Sequence, residues 1–461
     1  MQPPFDIAAD LDTPVSAFLK LRDLKPRFLL ESVEGGERLA RYSFLGFGDA
    51  LEVRMDADGF QIGDERRPKP ETREQYLDCL RAAQAKAPRL QPEVDGLPFS
   101  GGLAGVSGYD VVRLFEELPT LTEPQSSLPI AQFVAPSSML VFDHLTRRVA
   151  LLHAGSDAER QALRSEVIKK LEGAIPRNGE PVNIEPATPC MSEEQHRHGV
   201  EACKEYIASG DIYQIVLSVL FRGRSNVDPF EVYRATRLLN PSPYMFYFEF
   251  DDLQVVGSSP EALVKLNDRT ASLRPIAGTL PRGADAEEDI ANERRLLADP
   301  KEGAEHVMLV DLARNDLGRV ATPGSVHVDP YRSIERYSHV MHIVSGVQGE
   351  LEDGFDAFDL FAASFPAGTL VGAPKVRAME IIEEMEAHGR GLYGGTAGYF
   401  DVNGDMDQAI TIRTLVFQGD EYTYQAGGGI VADSVAANEY AEVMAKSRIL
   451  RQALSMAGEG L

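Results

Sequence analysis

Two acidic segments carry the residue types most able to do chemistry. In EGAEHVMLVDLARND (302–316), Met308, Leu309 and Leu312 follow Glu305 by three, four and seven positions. On a helix they share its face. A carboxylate on an apolar stripe is costly unless it is paired or bound to a cation. The pattern suits a metal ligand or a catalytic acid, and equally a helix edge or a salt bridge to an arginine. In NEYAEVMAKSRILRQAL (438–454), Glu439, Glu442, Lys446, Ile449 and Ala453 fall on one face, so two acids and a lysine continue an inward-facing stripe. Acids near a helix N-terminus plus an exposed ion pair would explain it as well. Two helices offering inward carboxylates would make the oxygen-rich site that Mg2+ takes, completed by substrate and water. The sequence does not show that they meet.

Other stretches add polar groups in unusual places. Arg413, in ITIRT, is read as a mid-strand charge that is either buried against an acid or facing a cleft. A guanidinium there suits a carboxylate held by two bonds. His342, in VMHIVS, is polar in an apolar strand, where a histidine is commonly a satisfied core residue. AGGGIVADS (426–434) would let backbone N–H groups approach a ligand closely. AGTLVGAPK (367–375) lacks the Gly-Lys-Ser/Thr ending of a phosphate loop; its Pro374 suits a helix start. RPIAGT (274–279) looks built for a ligand yet holds Ala277, which is small and inert. Cys79, Cys190 and Cys203 form no CxxC pair, and three is an odd number for a disulfide framework. With His196 and His198 nearby they could hint at a metal, but thiols in a reducing compartment explain them.

The elements that must position these groups can be read coarsely. Up to about residue 172, short strand-like runs alternate with turns. LEVRMDADGFQIGD (51–64) and SMLVFDHLTRRVALLHAG (138–155) read as hairpins. An amphipathic helix follows at 156–172, then a Pro/Gly/Asn-rich linker at 173–189. Ser192 and Gln195 form a capping-box pattern for a helix to about Ala208. DIYQIVLSVLFRG (211–223) reads as a strand. Further helices are expected near 229–239, 285–298, 302–316, 356–363, 374–387 and 437–456, with strands between them. Hairpins abound and no regular βαβ alternation appears, which favours an α+β fold with mainly antiparallel sheets.

The 461 residues allow a large core, and 43% hydrophobic with 25% charged residues is an ordinary globular balance. A net charge of −25 argues against nucleic-acid and anionic-membrane partners. An anionic ligand would need local arginines, lysines, backbone N–H groups or a metal. The acidic N-terminus lacks a signal-peptide run, and no stretch of about 18 apolar residues is present, so a cytoplasmic location is expected.

Together these segments resemble the chorismate-utilising enzymes, and within that family the anthranilate synthase large subunits. The resemblance covers nearly the whole chain. It includes LLESVEGGERLARYSFLG (29–46), NPSPYMFY (240–247), GSSPEALV (257–264), RPIAGT, AEHVMLVDLARNDLGRV (304–320), VMHIVSGVQG (340–349), FPAGTLVGAPKVRAMEII (365–382), GGTAGYF (394–400), NGDMDQAITIRT (403–414), and QAGGGIVADS with EYAEVMAK (439–446). One departure is AGGGIV, where many relatives read AGAG; it costs only a methyl.

The resemblance implies a sandwich of two mainly antiparallel sheets with outer helices. A region at 1–175 would carry part of a regulatory site and pack intimately on a catalytic region at 190–461. Mg2+ would be held by Glu305 and Glu442, with Glu439 helping through water, and would grip the ring carboxylate of chorismate. Glu261, in SSPEALV, matches a general acid that protonates the departing C4 hydroxyl; read alone, a glutamate after proline is commonly just a turn. His342 matches a residue beside the ring carboxylate, and Thr369 another ligand contact. Tyr399 and Arg413 match contacts to the enolpyruvyl carboxylate. Gly427, Gly428 and Gly429 match a carboxylate cradle and Lys446 a nearby cation, while Ala277, Gly278 and Thr279 border the substrate.

Within the family the resemblance also separates the reactions. Aminodeoxychorismate synthases carry a lysine nucleophile where this chain has Ala277, so covalent capture is not available. Isochorismate and salicylate synthases activate water with a lysine where this chain has Gln214, which cannot act as that base. Ammonia needs no base, so addition of ammonia at C2 and then loss of pyruvate to give anthranilate is expected. LLES and NPSPYM match a tryptophan feedback site lined by Glu31, Ser32, Pro243, Tyr244 and Met245. The chain has no room for a fused glutamine amidotransferase, so ammonia would come from a separate subunit, in the family a heterotetramer. The alternatives are an aminodeoxychorismate synthase and a catalytically idle tryptophan-sensing subunit.

Overall fold

The computed structural model describes residues 4–8, 10–33, 41–125, 128–176, 181–336 and 340–461. Parts of the LLES segment (34–40) and of the expected linker (177–180) lie outside the described residues.

Alternating apolar residues make long strands early in the chain: β1 (Pro26–Glu31), β2 (Tyr42–Asp56), β3 (Gly102–Ser107) and β4 (Ala131–Asp143). Ser192 then caps α1 (Glu193–Ser209), sharing reciprocal bonds with Gln195, and Gly210 in the left-handed region ends it. Next come β5 (Gln214–Arg224), α2 (Pro229–Leu239), β6 (Tyr244–Glu249), β7 (Gln254–Ser259) and β8 (Ile276–Pro281). Asp299 accepts from the Lys301 and Glu302 N–H groups to start α3 (Pro300–Gly318), with Pro300 at its first position. β9 (Val340–Val344), the single turn α4 (Gly368–Val371), α5 (Lys375–Met385), β10 (Thr396–Asp401), β11 (Met406–Ile410), β12 (Thr414–Gln418), β13 (Glu421–Ile430) and α6 (Ala436–Glu459) complete the frame.

The named strands pair antiparallel. One layer runs β5–β13–β12–β7–β6–β1, and β1 leads through β2 and β4 to β3, β10 and β11. Phe28 and Phe248 from the first layer meet Val106, Val134 and Ala397 from the second in one buried cluster. Helices cover the outer faces. Val443 and Leu450 of α6, with Phe230 and Tyr233 of α2, bury against Val219 and Tyr247; Val200 of α1 and Ile381 of α5 bury against Ile215 and Leu217. The fold is thus the expected α+β class, with antiparallel sheets and outer helices. β8 and β9 lie apart in a three-stranded sheet. Among the described residues no helix is long and apolar enough to cross a membrane.

Three local expectations need correction. The first part of the chain also holds helices at Pro14–Lys20 and Arg73–Lys86; in the second, Tyr76, Leu77, Leu80 and Ala83 recur at helical spacing and are buried. The second half of the expected linker is tied down, with Thr188–Pro189 pairing with Phe221 and Arg222. Arg413 is not in mid-strand: it sits in the break between β11 and β12 at φ 50°.

Gly372 shows what holds the site together. Its φ is +132°, and a Cβ there would lie 2.2 Å from the Gln214 carbonyl oxygen. We expect Gly372→Ala to destabilise the chain by about 2 kcal/mol in urea unfolding. An unchanged midpoint would contradict the close approach of this turn to β5.

Candidate functional site

Glu261 lies between β7 and the strand at Ala262–Asn267, and its carbonyl accepts from the Ile410 N–H at 3.0 Å. The backbone is therefore pinned on both sides while the side chain points into the structure. Thr369 Oγ1 donates to Glu261 Oε1 at 2.9 Å. Burial pushes the carboxyl up to about 7, against the pull of the Thr369 hydroxyl and of the positive charges on Arg413 and Lys446. Glu261 and Thr369 wall a cavity of about 400 Å3, counted with its open mouth, beside Leu309 and Leu312 of α3. A carboxyl that keeps its proton near neutrality can serve as a general acid.

The cations near it come from two elements. Arg413 occupies the left-handed region, which is costly for a residue with a side chain and is found at sites that need a particular aim. Its Nη1 donates to Asn240 Oδ1 at 3.4 Å, and its carbonyl accepts from the Ser258 N–H at 3.2 Å. Lys446 Nζ donates to the Gly427 carbonyl at 3.0 Å and lies 2.8 Å from Glu442 Oε1. The expected inward stripe on α6 is corrected here: Lys446 and Glu442 are about half exposed, at 51% and 49%. The fully buried face of that helix is instead Val443, Ser447, Leu450 and Leu454. The carboxylate and ammonium flank it, because they are aimed at the edge of the sheet rather than into the core.

Gly427, Gly428 and Gly429 close β13 opposite Ser218, Leu217 and Val216 of β5. An added Cβ would crowd its neighbours at Gly427 and Gly429 and make ordinary contact at Gly428. A Cβ at Gly427 would be 2.7 Å from the Tyr393 hydroxyl, one at Gly429 3.0 Å from Gln214 Nε2, and one at Gly428 3.5 Å from Glu439 Oε2. Gln214 and Glu439 are thereby placed at the glycine run. Gln214 is buried and its Oε1 has no hydrogen-bond partner among the described residues.

On the separate small sheet, His342 Nδ1 lies 2.9 Å from Thr279 Oγ1 and 3.3 Å from the Gly278 carbonyl oxygen. Burial lowers its pKa, and the Arg413 charge adds to this while the Gly278 carbonyl opposes it. The imidazole is neutral at neutral pH. Ala277 is opposite Ile343 and 8% exposed, and Gly278 takes φ +71° in the bulge that follows. Tyr399, on β10, is buried and stacks on Phe99 with ring centroids 4.3 Å apart.

The acids named as metal ligands are placed less tightly. Among the described residues no three His, Cys, Asp or Glu side chains converge as a metal cluster. Glu305, half-buried on α3, makes no salt bridge or side-chain hydrogen bond among the described residues. Its neighbour Glu302 has its pKa raised, first by burial and then by repulsion from Glu305 and Asp299. Glu305, Glu439 and Glu442 supply only hard oxygen donors, and Lys301 offsets the repulsion between Glu302 and Glu305 only in part. The residues fit an Mg2+ ion in chemistry.

The five residues matched to a regulatory site do come together. Met245 pairs with Glu31 across β6 and β1. Glu31 is buried and accepts from the Tyr233 hydroxyl at 2.5 Å and from Arg237 Nε at 3.1 Å. The Ser32 hydroxyl is buried without a partner among the described residues. Pro243 leads into Tyr244, which opposes Ser259, two residues before Glu261. Asn240, Ser242 and Ser258 are linked by hydrogen bonds at 2.9 Å, and the same Asn240 reaches Arg413.

Sequence reasoning missed one group. Arg390 and Glu386 form an ion pair at 2.7 Å with side chains 1% and 3% exposed. The only trace in the sequence is their spacing of four after a helix.

A model of the chorismate binding enzymes matches residues 25–452. Anthranilate synthase component 1 of Thermus thermophilus is 45% identical over 98% of this chain and 97% of its own length. That of Acetivibrio thermocellus is 41% identical over 98% and 95%. The crystal structure of anthranilate synthase component I from Streptococcus pneumoniae superposes with a TM-score of 0.80 at 35% identity, over 89% of this chain and 92% of that one. The menaquinone-specific isochorismate synthase of Escherichia coli has a TM-score of 0.71 at 19% identity, over 96% and 92%, and shares the fold alone.

Proposed function

The chain belongs to the chorismate binding enzymes, and from that premise we propose that it adds ammonia to C2 of chorismate and eliminates pyruvate to leave anthranilate. The observation that carries this reading is the Glu261 carboxyl, half-buried in the cavity wall, held by Thr369 and pushed up to about 7. A group that is half protonated near neutrality can give its proton to the C4 hydroxyl, which then leaves as water while ammonia bonds at C2. The resulting aminodeoxyisochorismate loses pyruvate, and the ring becomes aromatic.

The remaining residues position the substrate. Arg413 and Lys446 supply the local positive charge that a dicarboxylate needs in a chain of net charge −25. The side-chain-free backbone of Gly427–Gly429 is read as the cradle for a carboxylate. Neutral His342, in the tautomer whose Nδ1 accepts from the Thr279 hydroxyl, can donate from Nε2 to the ring carboxylate without adding a charge. Ala277 offers no nucleophile and Gln214 no base, which supports ammonia over an enzyme amine or water. Mg2+, bound through Glu305 and Glu442 with Glu439 nearby, would supply an orienting Lewis acid for the ring carboxylate.

The cluster of Glu31, Ser32, Pro243, Tyr244 and Met245 is read as a tryptophan site. Inhibition follows if the amino acid favours an arrangement that binds chorismate poorly. Ammonia is read as coming from a separate glutamine amidotransferase subunit, and the three free thiols are in keeping with the cytoplasm.

The test uses the purified chain with chorismate, Mg2+ and excess ammonium, with and without tryptophan, and product chromatography. Anthranilate suppressed by tryptophan is expected. 4-Amino-4-deoxychorismate would contradict the reaction, and anthranilate indifferent to tryptophan would contradict the regulatory site.

A further inference from the structure

Thr369, which holds the acid, stands on a turn that cannot hold itself. α4 is four residues long, has no side-chain cap at its start and ends at Gly372. An isolated helix of that length has no stability of its own. Its position must come from contacts with the rest of the molecule.

The contact that reaches its backbone is Arg390. Nη1 donates to the Leu370 carbonyl at 2.7 Å, one residue beyond Thr369. Nη2 donates to the Val216 carbonyl at 2.8 Å, on β5 opposite Gly429. Nε and Nη2 bond Glu386 at 3.0 and 2.7 Å. Glu386 in turn accepts from the N–H and hydroxyl of Ser218 at 2.8 and 2.7 Å. Tyr109 and Tyr393 lie 5.0 and 5.6 Å from the guanidinium carbon. A buried ion pair is a poor way to gain stability, since apolar residues of the same shape commonly do as well. What this pair does that apolar residues could not is fix two backbone carbonyls, one beside the acid's partner and one beside the glycine run.

We propose that Arg390 is a positioning residue for the acid: by holding the Leu370 carbonyl it sets the α4 turn, and through that turn the Thr369 hydroxyl that orients Glu261. The inference rests on the reading of Glu261 as the acid. The charges that act on Glu261 come from Arg413, in the loop before β12, and Lys446, on α6; Arg274 and Asp316 line the same cavity, each in an ion pair, with Glu335 and Lys375. Arg390 is not among them and is neutralised by Glu386, so a change at Arg390 reaches the carboxyl through the turn. Lysine keeps the charge but cannot span both carbonyls and the carboxylate.

The test is a double-mutant cycle of Arg390→Lys and Thr369→Val, with two readouts. The first is kcat and KM for chorismate with ammonium. Each single change is expected to lower kcat about tenfold, and Arg390→Lys to leave KM nearly unchanged, because the lost hydrogen bond serves the proton transfer. The double variant is expected to be no slower than Thr369→Val. The second readout is the ionisation of Glu261 in the free chain, followed by its infrared carboxyl band and assigned with Glu261→Gln. Thr369→Val removes a bond that favours the ionised form, so the midpoint should rise by about one pH unit. Arg390→Lys should raise it with Thr369 present and not in the Thr369→Val background.

Additive losses, or an Arg390→Lys shift that survives in Thr369→Val, would overturn the inference. If Arg390→Lys does not fold, Thr369→Val with an unmoved midpoint still overturns it, and Thr369→Ser should restore both readouts. A wild-type chain that makes no anthranilate would overturn the functional reading instead, and the infrared comparison would still decide the positioning.

Discussion

Glu261→Gln should lower kcat for anthranilate formation by about a thousandfold while the chain stays folded. Glutamine keeps the shape and can still meet the Thr369 hydroxyl, but it has no proton to give to the leaving C4 oxygen. The pH dependence has a definite sign. The acid must be protonated, so the wild-type rate step that uses Glu261 falls as pH rises through about 7. Free ammonia increases in the same direction, so an ammonium-driven assay should show a bell whose alkaline limb belongs to Glu261. The same shift is a statement about stability. A carboxyl with a raised folded pKa contributes stability below its unfolded pKa and loses it as pH rises through the folded one. Glu261→Gln should therefore gain stability relative to wild type between mildly acidic and mildly alkaline pH. Full activity in this variant would end the assignment of Glu261 as acid. A stability difference that does not change with pH would mean that the carboxyl is not shifted.

Arg413→Gly should separate stability from function. The left-handed region costs a residue with a side chain roughly 1–2 kcal/mol, and glycine returns part of that gain as chain entropy. At φ 50° the variant should be as stable as wild type, or more stable by about 1 kcal/mol. KM for chorismate should rise about a hundredfold, the size expected for losing a guanidinium–carboxylate contact. A rise in KM with a preserved or higher melting temperature would show that strain is tolerated here for the sake of aim. An unchanged KM would remove Arg413 from the substrate site. A clear loss of stability would mean that its contact with Asn240 matters more than its backbone.

How much of this was legible in the sequence depends on the range of the interaction. Local chemistry reads well. The Ser192–Gln195 capping box starts α1 where expected, and Glu305 does lie on the α3 face that carries the cavity-lining Leu309 and Leu312. Of the three glycines that close β13, Gly427 and Gly429 are closely approached by neighbouring side chains. Long-range pairing does not read. Nothing in PRFLLE or YMFYFE says that Glu31 will oppose Met245, or that β3 will pair with β10 across nearly three hundred residues. Aim is equally hidden. Glu442 and Lys446 have the spacing of an inward stripe, but a small rotation of α6 leaves them at its flank. Arg413 has the neighbours of a strand residue and the backbone of a turn. Glu261 reads alone as a turn residue, because its raised proton affinity comes from the walls around it and not from its neighbours in sequence. Glu386 falls at the end of the helix expected at 374–387 and Arg390 just beyond it, and only the folded chain shows that both are enclosed.

The most direct test of the central claim is to follow isotope-labelled ammonium and chorismate through the purified chain with Mg2+ and identify the products by mass spectrometry. The account predicts anthranilate carrying the label, formed together with an equal amount of pyruvate, and its loss in Glu261→Gln. Isochorismate or salicylate without the label, or 4-amino-4-deoxychorismate with it, would contradict the account.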